Sequence, residues 1–477
     1  MRTLVWFRGK DLRVADHAPL ADAASAGETI PLFVLDPYFF APERAQEIPH
    51  RIQFLLESLA ELAEAIVKLG SRLVVVPGKS TEVVPELAHL LRVDRVVGHR
   101  WTEPFGRERD GRITRALAPI PFDLYEGETL ATPGKVLTAS GTPFAVYTPF
   151  ARAFAKTVEI PRPRMAVRAL PPLPALPRSV TQREVPIPTA LDLGIRRNER
   201  ILRGGETAAR ARLRAFVRGP GKRYDVGRNL MGEAGTSRLS QDLKFGTLSA
   251  RTVWTLAADA LVEHPKARRA YLGELVWREL AYDVLWHTPR VLEEPFKPAW
   301  KGFPWRSNRK GWRAWMDGTT GYPVVDASAR QLLAEGFVHN RARMISASFL
   351  TKHLLVDFRL GEEHFMRYLT DGDWAVNDLG WQWSTGCGVD AQPWFRVFNP
   401  VLQGEKLDAN GAYVRRWVPE LAALSNRWIH RPWEAPPAEL SRAGIVLGKT
   451  YPRPIVDHAF ARERFLAVAK GALSRNG

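Results

Sequence analysis

Cysteine is almost absent from the sequence, with Cys387 the single thiol in 477 residues. One thiol excludes a disulfide framework and fits a reducing compartment, so a cytoplasmic protein is expected. Long apolar runs are missing too: no 18-residue window stays apolar and uncharged, and no membrane span is expected. The start, MRTLVWFRGKDLR, enters a strand pattern at once, without the basic and apolar regions of a signal peptide. Neither GxGxxG nor a Walker-type loop occurs, which argues against an ordinary dinucleotide-binding dehydrogenase or a P-loop enzyme. Acidic residues are in deficit, 51 against 68 Lys and Arg, for a formal charge of +17. That balance favours a polyanionic partner, nucleic acid first, because clustered cations neutralise phosphates and release counterions. The plain alternative is a charge that only solubilises the surface.

What is present points to two domains. With 45% hydrophobic residues the chain has material for a large core. Short β-rich runs at 2–8, 30–35, 72–77 and 94–98 are separated by helix-length segments such as IQFLLESLAELAEAIVKL. That alternation predicts an α/β domain, a doubly wound parallel sheet, over residues 1–130. A Pro- and Arg-rich text, PRPRMAVRALPPLPALPRS, has no sustained period and marks a connector, taken as 131–200, laid over the surface. From 201 to 477 helical segments take over, among them ETAARARLRAFV, RAYLGELVWRELAYDVLW and DASARQLLAEG, predicting an all-α domain. A monomer is expected.

Fourteen of the sixteen tryptophans follow residue 250, and indoles serve packing, base stacking and flavin chemistry alike. Several local patterns carry chemistry on their own terms. In GTSRLSQDLKFGTLS, hydroxyls ahead of a helical run either cap backbone N–H groups or, with the free amides, receive phosphate. Glu274, Trp277 and Arg278 share a helix face, as a structural ion pair beside a packed indole or as a binding wall. Arg343 is a natural partner for Asp371, since buried acids need pairing; a core salt bridge is the plain reading.

HNRARM, DGDWAVN, WQW and WFRVFNP together resemble the flavin-binding core of the photolyase and cryptochrome family, and further matches run from residue 1 to about 465. Within that family the chain is most similar to the class I photolyases acting on cyclobutane pyrimidine dimers. The resemblance implies FAD as cofactor, DNA containing such dimers as partner, and light-driven repair by electron transfer from the reduced flavin. It assigns Tyr224, Arg228, Thr236, Ser237, Arg238, Leu239, Ser240, Arg278, Asn340, Arg343, Asp371, Asp373 and Asn377 to the flavin. Gln241 and Asp242 depart from the usual Pro-Tyr there. Glu274, Trp277, Asn340, Met344, Asn377 and Trp383 would act on or beside the lesion, with Arg341 and Arg396 on DNA. Asn340 stands where members repairing the (6-4) photoproduct have histidine. Asn377, counted back from Trp381 and Trp383, would face flavin N5, although acidic Asp378 is its neighbour. A photoreceptor of the cryptochrome branch is the alternative.

Two further expectations concern chromophore and relay. Arg51, Glu103 and Lys244 resemble the site of members that bind an 8-hydroxy-5-deazaflavin antenna. Gly106 stands where folate-using members have an acid, so the deazaflavin type is favoured over folate; a surface role for Lys244 is the alternative. Of the family's three relay tryptophans, Trp381 and Trp305 are matched, while the middle position is Phe358, a ring much harder to oxidise. Trp374 offers a bypass through Trp312 or Trp315, or merely packs.

Overall fold

The computed structural model describes residues 1–476. Five parallel strands lie in the order β3-β2-β1-β4-β5, with β1 Arg2–Phe7, β2 Glu28–Leu35, β3 Val74–Pro77, β4 Arg95–His99 and β5 Phe122–Tyr125. The register pairs Leu4 with Ile30 and Val96, and Val5 with Pro31 and Val97. Successive residues of β1 go to opposite cores: Leu4 and Trp6 pack with Val83, Leu87 and Ile113, whereas Val5 and Phe7 pack with Leu20, Phe54 and Leu59. Helices therefore cover both faces, which is why the central strand is apolar at four successive positions, Leu4, Val5, Trp6 and Phe7, rather than at alternate ones. The strand order reverses at β1, so the loop leaving its carboxyl end, which carries Lys10, opens at the switch point where such sheets bind ligands.

β5 was not among the expected strands. It is four residues long, at the sheet edge and only half-buried, so neither a long apolar run nor a clear alternation announces it. The connector also needs correction. Residues Tyr147–Thr157 form a helix whose Phe150 and Phe154, one turn apart, are buried against Leu280 and Val284. Its later part does follow the sheet domain: Leu170 N donates to Leu69 O at 2.7 Å and Val185 N to Val75 O at 3.0 Å.

The rest is helical. Ser249 caps Ala250–Ala260 by accepting from Thr252 N, and Gly336, in the left-handed region, ends Pro323–Glu335. The 23-residue helix Pro265–His287 is the spine of the domain. Asn340–Ser348 runs into a single π-helical turn, Phe349–His353. Among the described residues no helix is long and apolar enough to cross a membrane. The two domains interlock at Gly246, φ +62°, where any Cβ would run into the Lys10 carbonyl. Beside it Leu12 N donates to Phe245 O at 3.1 Å and Arg13 to Gly246 O at 2.9 Å.

Candidate active site

A cavity of about 540 Å³ opens between the helices Pro265–His287, Asn340–Ser348 and Trp374–Thr385 and the segment 236–240. Its walls include every residue that the sequence assigned to flavin or lesion chemistry, from Tyr224 and Arg228 to Asn377 and Trp383. Arg396 is not among them; it is exposed, with its guanidinium 5.3 Å from the ring of Phe398.

The buried end is polar and cationic. Arg343 pairs with Asp371 at 2.9 Å and donates to Val338 O at 2.8 Å. Asp373 caps its helix by accepting from Val376 N and takes the Tyr282 hydroxyl at 2.5 Å. Arg278 donates to Glu128 O at 2.9 Å. One turn into the capped helix, buried Asn377 lines the cavity and donates its amide to Glu362 O at 3.1 Å. Asp378 is not a wall: it accepts from Gln382 at 2.9 Å, and burial pushes its carboxyl up to about 8. Neighbouring residues on a helix point about 100° apart, which is why Asn377 lines the cavity and Asp378 does not.

Segment 236–240 does not behave as a simple helix cap. Leu239 stands at the N-cap of Ser240–Phe245, and no side chain caps that helix. Arg238 takes φ +52°, a strained conformation for a residue with a side chain, and lays its guanidinium 3.7 Å from the ring of Phe337. The departures at 241 and 242 are absorbed in place: Asp242 binds Arg212 at 2.5 Å and Gln241 donates to the Arg238 carbonyl at 2.5 Å. Buried Arg228 Nε and Arg238 Nε have no hydrogen-bond partner. Unsatisfied buried donors are costly, and these two line a cavity that also offers Leu239, Phe365 and Trp381. The set fits an anionic ligand carrying a flat aromatic group.

The half-buried end holds Trp277, Trp383, Met344 and Glu274, with Asn340 exposed. Glu274 is bound by Arg228 at 2.5 Å, and burial raises its carboxyl against the pull of that arginine. Arg341 is committed to Asn229 at 2.9 Å and reaches Met344 Sδ at 3.3 Å.

Behind the buried end lies a cluster that sequence reasoning missed. Lys10 Nζ meets Glu103 at 2.5 Å, binds Glu128 and lies 3.6 Å from Asp373, with all four side chains buried. Burial alone would lower the lysine, but the three carboxylates hold it above its ordinary value; Asp373, which burial would raise, is held below the carboxylate range by Lys10, Lys244 and Arg278. The available signal was position, a lysine just past the carboxyl end of the central strand.

Glu103 also lines a second cavity, of about 140 Å³, together with Arg51, Lys244, Trp101, Phe105, Tyr38 and Trp374. Lys244 lines both cavities, and burial together with the nearby Lys10 brings its ammonium down to about 8. It is half-buried and faces the two cavities rather than standing free on the surface. At Gly106 a Cβ would lie 2.6 Å from that of Trp101, leaving no room for an acid.

The aromatic rings near Trp381 are arranged differently from expectation. Trp374 is 41% exposed and faces the second cavity, and no ring contact joins it to Trp312 or Trp315. Trp381 instead meets Trp315 at 6.0 Å, and Trp315 stacks on Trp312 at 5.4 Å and 18°. Trp305 contacts Phe358 at 6.5 Å.

A parallel α/β domain interlocked with a helical domain, whose central cavity suits an anionic, flat cofactor, defines a two-domain flavoprotein class. Residues 3–175 match the family described as DNA photolyase, and residues 271–471 match the FAD binding domain of DNA photolyase. The chain is 41% identical over 470 residues to the deoxyribodipyrimidine photo-lyase of Agrobacterium fabrum, covering 97% of this chain and 96% of that one. A class III photolyase structure from Agrobacterium tumefaciens matches with TM-score 0.90 and 38% identity over 99% of this chain and 98% of the other. A Synechocystis cryptochrome structure matches with TM-score 0.89 and 31% identity over 98% and 99%. The chain belongs to the DNA photolyase family.

Proposed function

We propose that this chain repairs cyclobutane pyrimidine dimers in DNA, driven by light, with FAD as cofactor. The observation that carries the reading is one continuous cavity that brings together Arg228 and Arg238, each with an Nε donor lacking a partner, and the indoles of Trp277 and Trp383. Arg238, Arg343, Asp373 and the hydroxyls of Thr236, Ser237 and Ser240 hold the cofactor's polar parts, and Asn377 presents a neutral amide to its ring. Bound FAD, reduced and excited by light, supplies the electron that opens the cyclobutane ring and recovers it afterwards. Trp277 and Trp383 form the walls for the flipped pyrimidines, a lesion that already weakens pairing being cheaper to extrude. Glu274 accepts a hydrogen bond from the base, Asn340 and Met344 line its other side, and Arg341 and Arg396 meet the DNA backbone.

Light-dependent repair of a dimer-bearing oligonucleotide tests the reading, and a protein that binds FAD without repairing in any redox state would overturn it. The likeness to a cryptochrome motivates the competing reading of a photoreceptor, which the same assay separates. Trp277→Ala is expected to cost lesion binding about 1 to 3 kcal/mol, the worth of a base–aromatic stack. Retained lesion affinity with lost FAD would make Trp277 a cofactor support instead. Binding of duplex DNA should fall on a log–log salt plot with a slope of roughly −0.9 per phosphate neutralised.

The second cavity is read as the antenna site. Arg51, Arg109 and Lys244 among Trp101, Phe105 and Tyr38 favour a planar anionic chromophore of the 8-hydroxy-5-deazaflavin type, and the crowding at Gly106 speaks against the acid that folate users carry there. Lys244, charged below about 8, attracts such an anion and loses the charge as pH rises through that value. Titrating apo-protein with the deazaflavin by absorbance should show affinity falling across that window in the wild type and no such fall in Lys244→Met. An unaltered pH profile in the variant would remove Lys244 from the site.

A further inference from the structure

Tyr147 and Trp277 are the closest and most nearly parallel ring pair among the described residues, with centroids 4.0 Å apart and planes 3° from coincidence. The two residues come from different parts of the chain, Tyr147 opening the helix Tyr147–Thr157 and Trp277 lying midway along Pro265–His287. Two further contacts fix the tyrosine. Its hydroxyl donates at 3.0 Å to Gly273 O, the carbonyl one helical turn before Trp277, and Phe150 and Phe154 bury its helix against the same spine. Gly273 leaves room for this approach, since a Cβ there would lie 3.2 Å from the hydroxyl. Trp277 is a wall of the central cavity and Tyr147 is not, so the phenol packs on the indole from outside the cavity lining.

We infer that Tyr147 is a positioning residue for lesion recognition: it clamps the indole of Trp277 so that the opposite face is held ready for the flipped base. The inference rests on reading the cavity as the lesion pocket. An exposed tryptophan loses side-chain freedom when a base stacks on it, and a ring already held between helix and phenol has less to lose. The benefit is confined to DNA that places a base against Trp277. Undamaged strands, bound through their phosphates, do not draw on it.

The test compares affinities of the FAD-loaded protein for dimer-bearing and undamaged oligonucleotides by fluorescence anisotropy. The variants are Tyr147→Phe, Tyr147→Leu, Tyr147→Ala, Trp277→Ala and Tyr147→Ala combined with Trp277→Ala. Tyr147→Ala should weaken lesion binding about threefold to tenfold, the range of an aromatic pair, with undamaged DNA unaffected. Tyr147→Phe, which keeps the stack, should retain most of the affinity; Tyr147→Leu, which fills the volume without a plane, should not, and it serves if the alanine variant folds poorly. In the Trp277→Ala background the loss at 147 should vanish. Unchanged lesion affinity in both Tyr147→Ala and Tyr147→Leu, an equal loss on undamaged DNA, or a full loss persisting without Trp277 would each overturn the positioning role. If Trp277→Ala itself leaves lesion binding intact, the lesion-pocket reading falls and the inference with it. A silent Tyr147 beside a defective Trp277→Ala removes the clamp alone.

Discussion

Trp315→Phe is expected to nearly abolish light-driven reduction of oxidised FAD by an external thiol, while Trp305→Phe leaves that reduction at the wild-type rate. The reason is ring geometry. Trp381, a wall of the cofactor cavity, has Trp315 at 6.0 Å, and Trp315 has Trp312 stacked at 5.4 Å on the way to the surface. On the other side Trp305 has Phe358 at 6.5 Å, whose benzene ring is a poor site for a positive hole. On the expected route the thiol would give an electron to Trp312, with Trp315 and Trp381 passing it on in turn, and each ring would return to its neutral state. Phe358→Trp should open a second route and partly rescue Trp315→Phe. Trp374→Phe should leave photoreduction unchanged, because that ring faces the second cavity. Absorbance under continuous blue light follows the reduction, and a Trp315→Phe protein reduced as fast as wild type would defeat the route. Chemically pre-reduced enzyme should repair normally in every variant, which separates the relay from the repair step.

Lys10→Met should destabilise the protein by about 3 to 5 kcal/mol at neutral pH, the loss typical when one partner of a buried ion cluster is removed. Three carboxylates, Glu103, Glu128 and Asp373, would be left buried around a methionine. The sign of the pH dependence follows from Asp373. Its folded-state pKa is depressed by Lys10, so in the wild type its share of stability is present above the ordinary carboxylate range and lost as pH falls through the folded value. In the variant, burial unopposed by the lysine raises the carboxyls, and protonation then relieves the cluster. The gap between wild type and Lys10→Met should therefore narrow in acid. Denaturant unfolding at pH 7 and pH 5 measures it, and equal stability of the two proteins at pH 7 would show that the cluster contributes nothing net. Because Asp373 also caps its helix and lines the cofactor cavity, weaker FAD retention should accompany the loss.

The residues legible in the sequence were those whose spacing in one segment is preserved in space. Glu274, Trp277 and Arg278 lie about one turn apart on one helix, Asn340 and Met344 about one turn apart on another, and Asp373 to Trp381 span the first two turns of a third, so local motifs carried most of the cavity. Long-range partners were not legible. Nothing in FRGKDLR says that its lysine will meet acids at 103, 128 and 373, and Tyr147 stood in a stretch read as connector. Trp374 makes no ring contact with Trp312 or Trp315 for a local reason: adjacent residues at a helix start point in different directions, so Asp373 lines the central cavity and Trp374 the second one. β5 was missed because a short, half-buried edge strand leaves too little pattern. The fold class survived these errors because the central strands and the long helices carry the strongest periodicities.

The contact at Gly246 bears on how freely such halves can be exchanged. There the helical part meets the α/β part main chain to main chain, a glycine against the Lys10 carbonyl, with the Arg13 guanidinium on the Gly246 carbonyl beside it. Chimeras built by grafting a foreign α/β half onto this helical half would be sorted first by the path of a backbone loop. Two parents with matching side chains along the seam can still fail if that loop bulges by the width of a methyl group, and dissimilar parents can succeed if it does not.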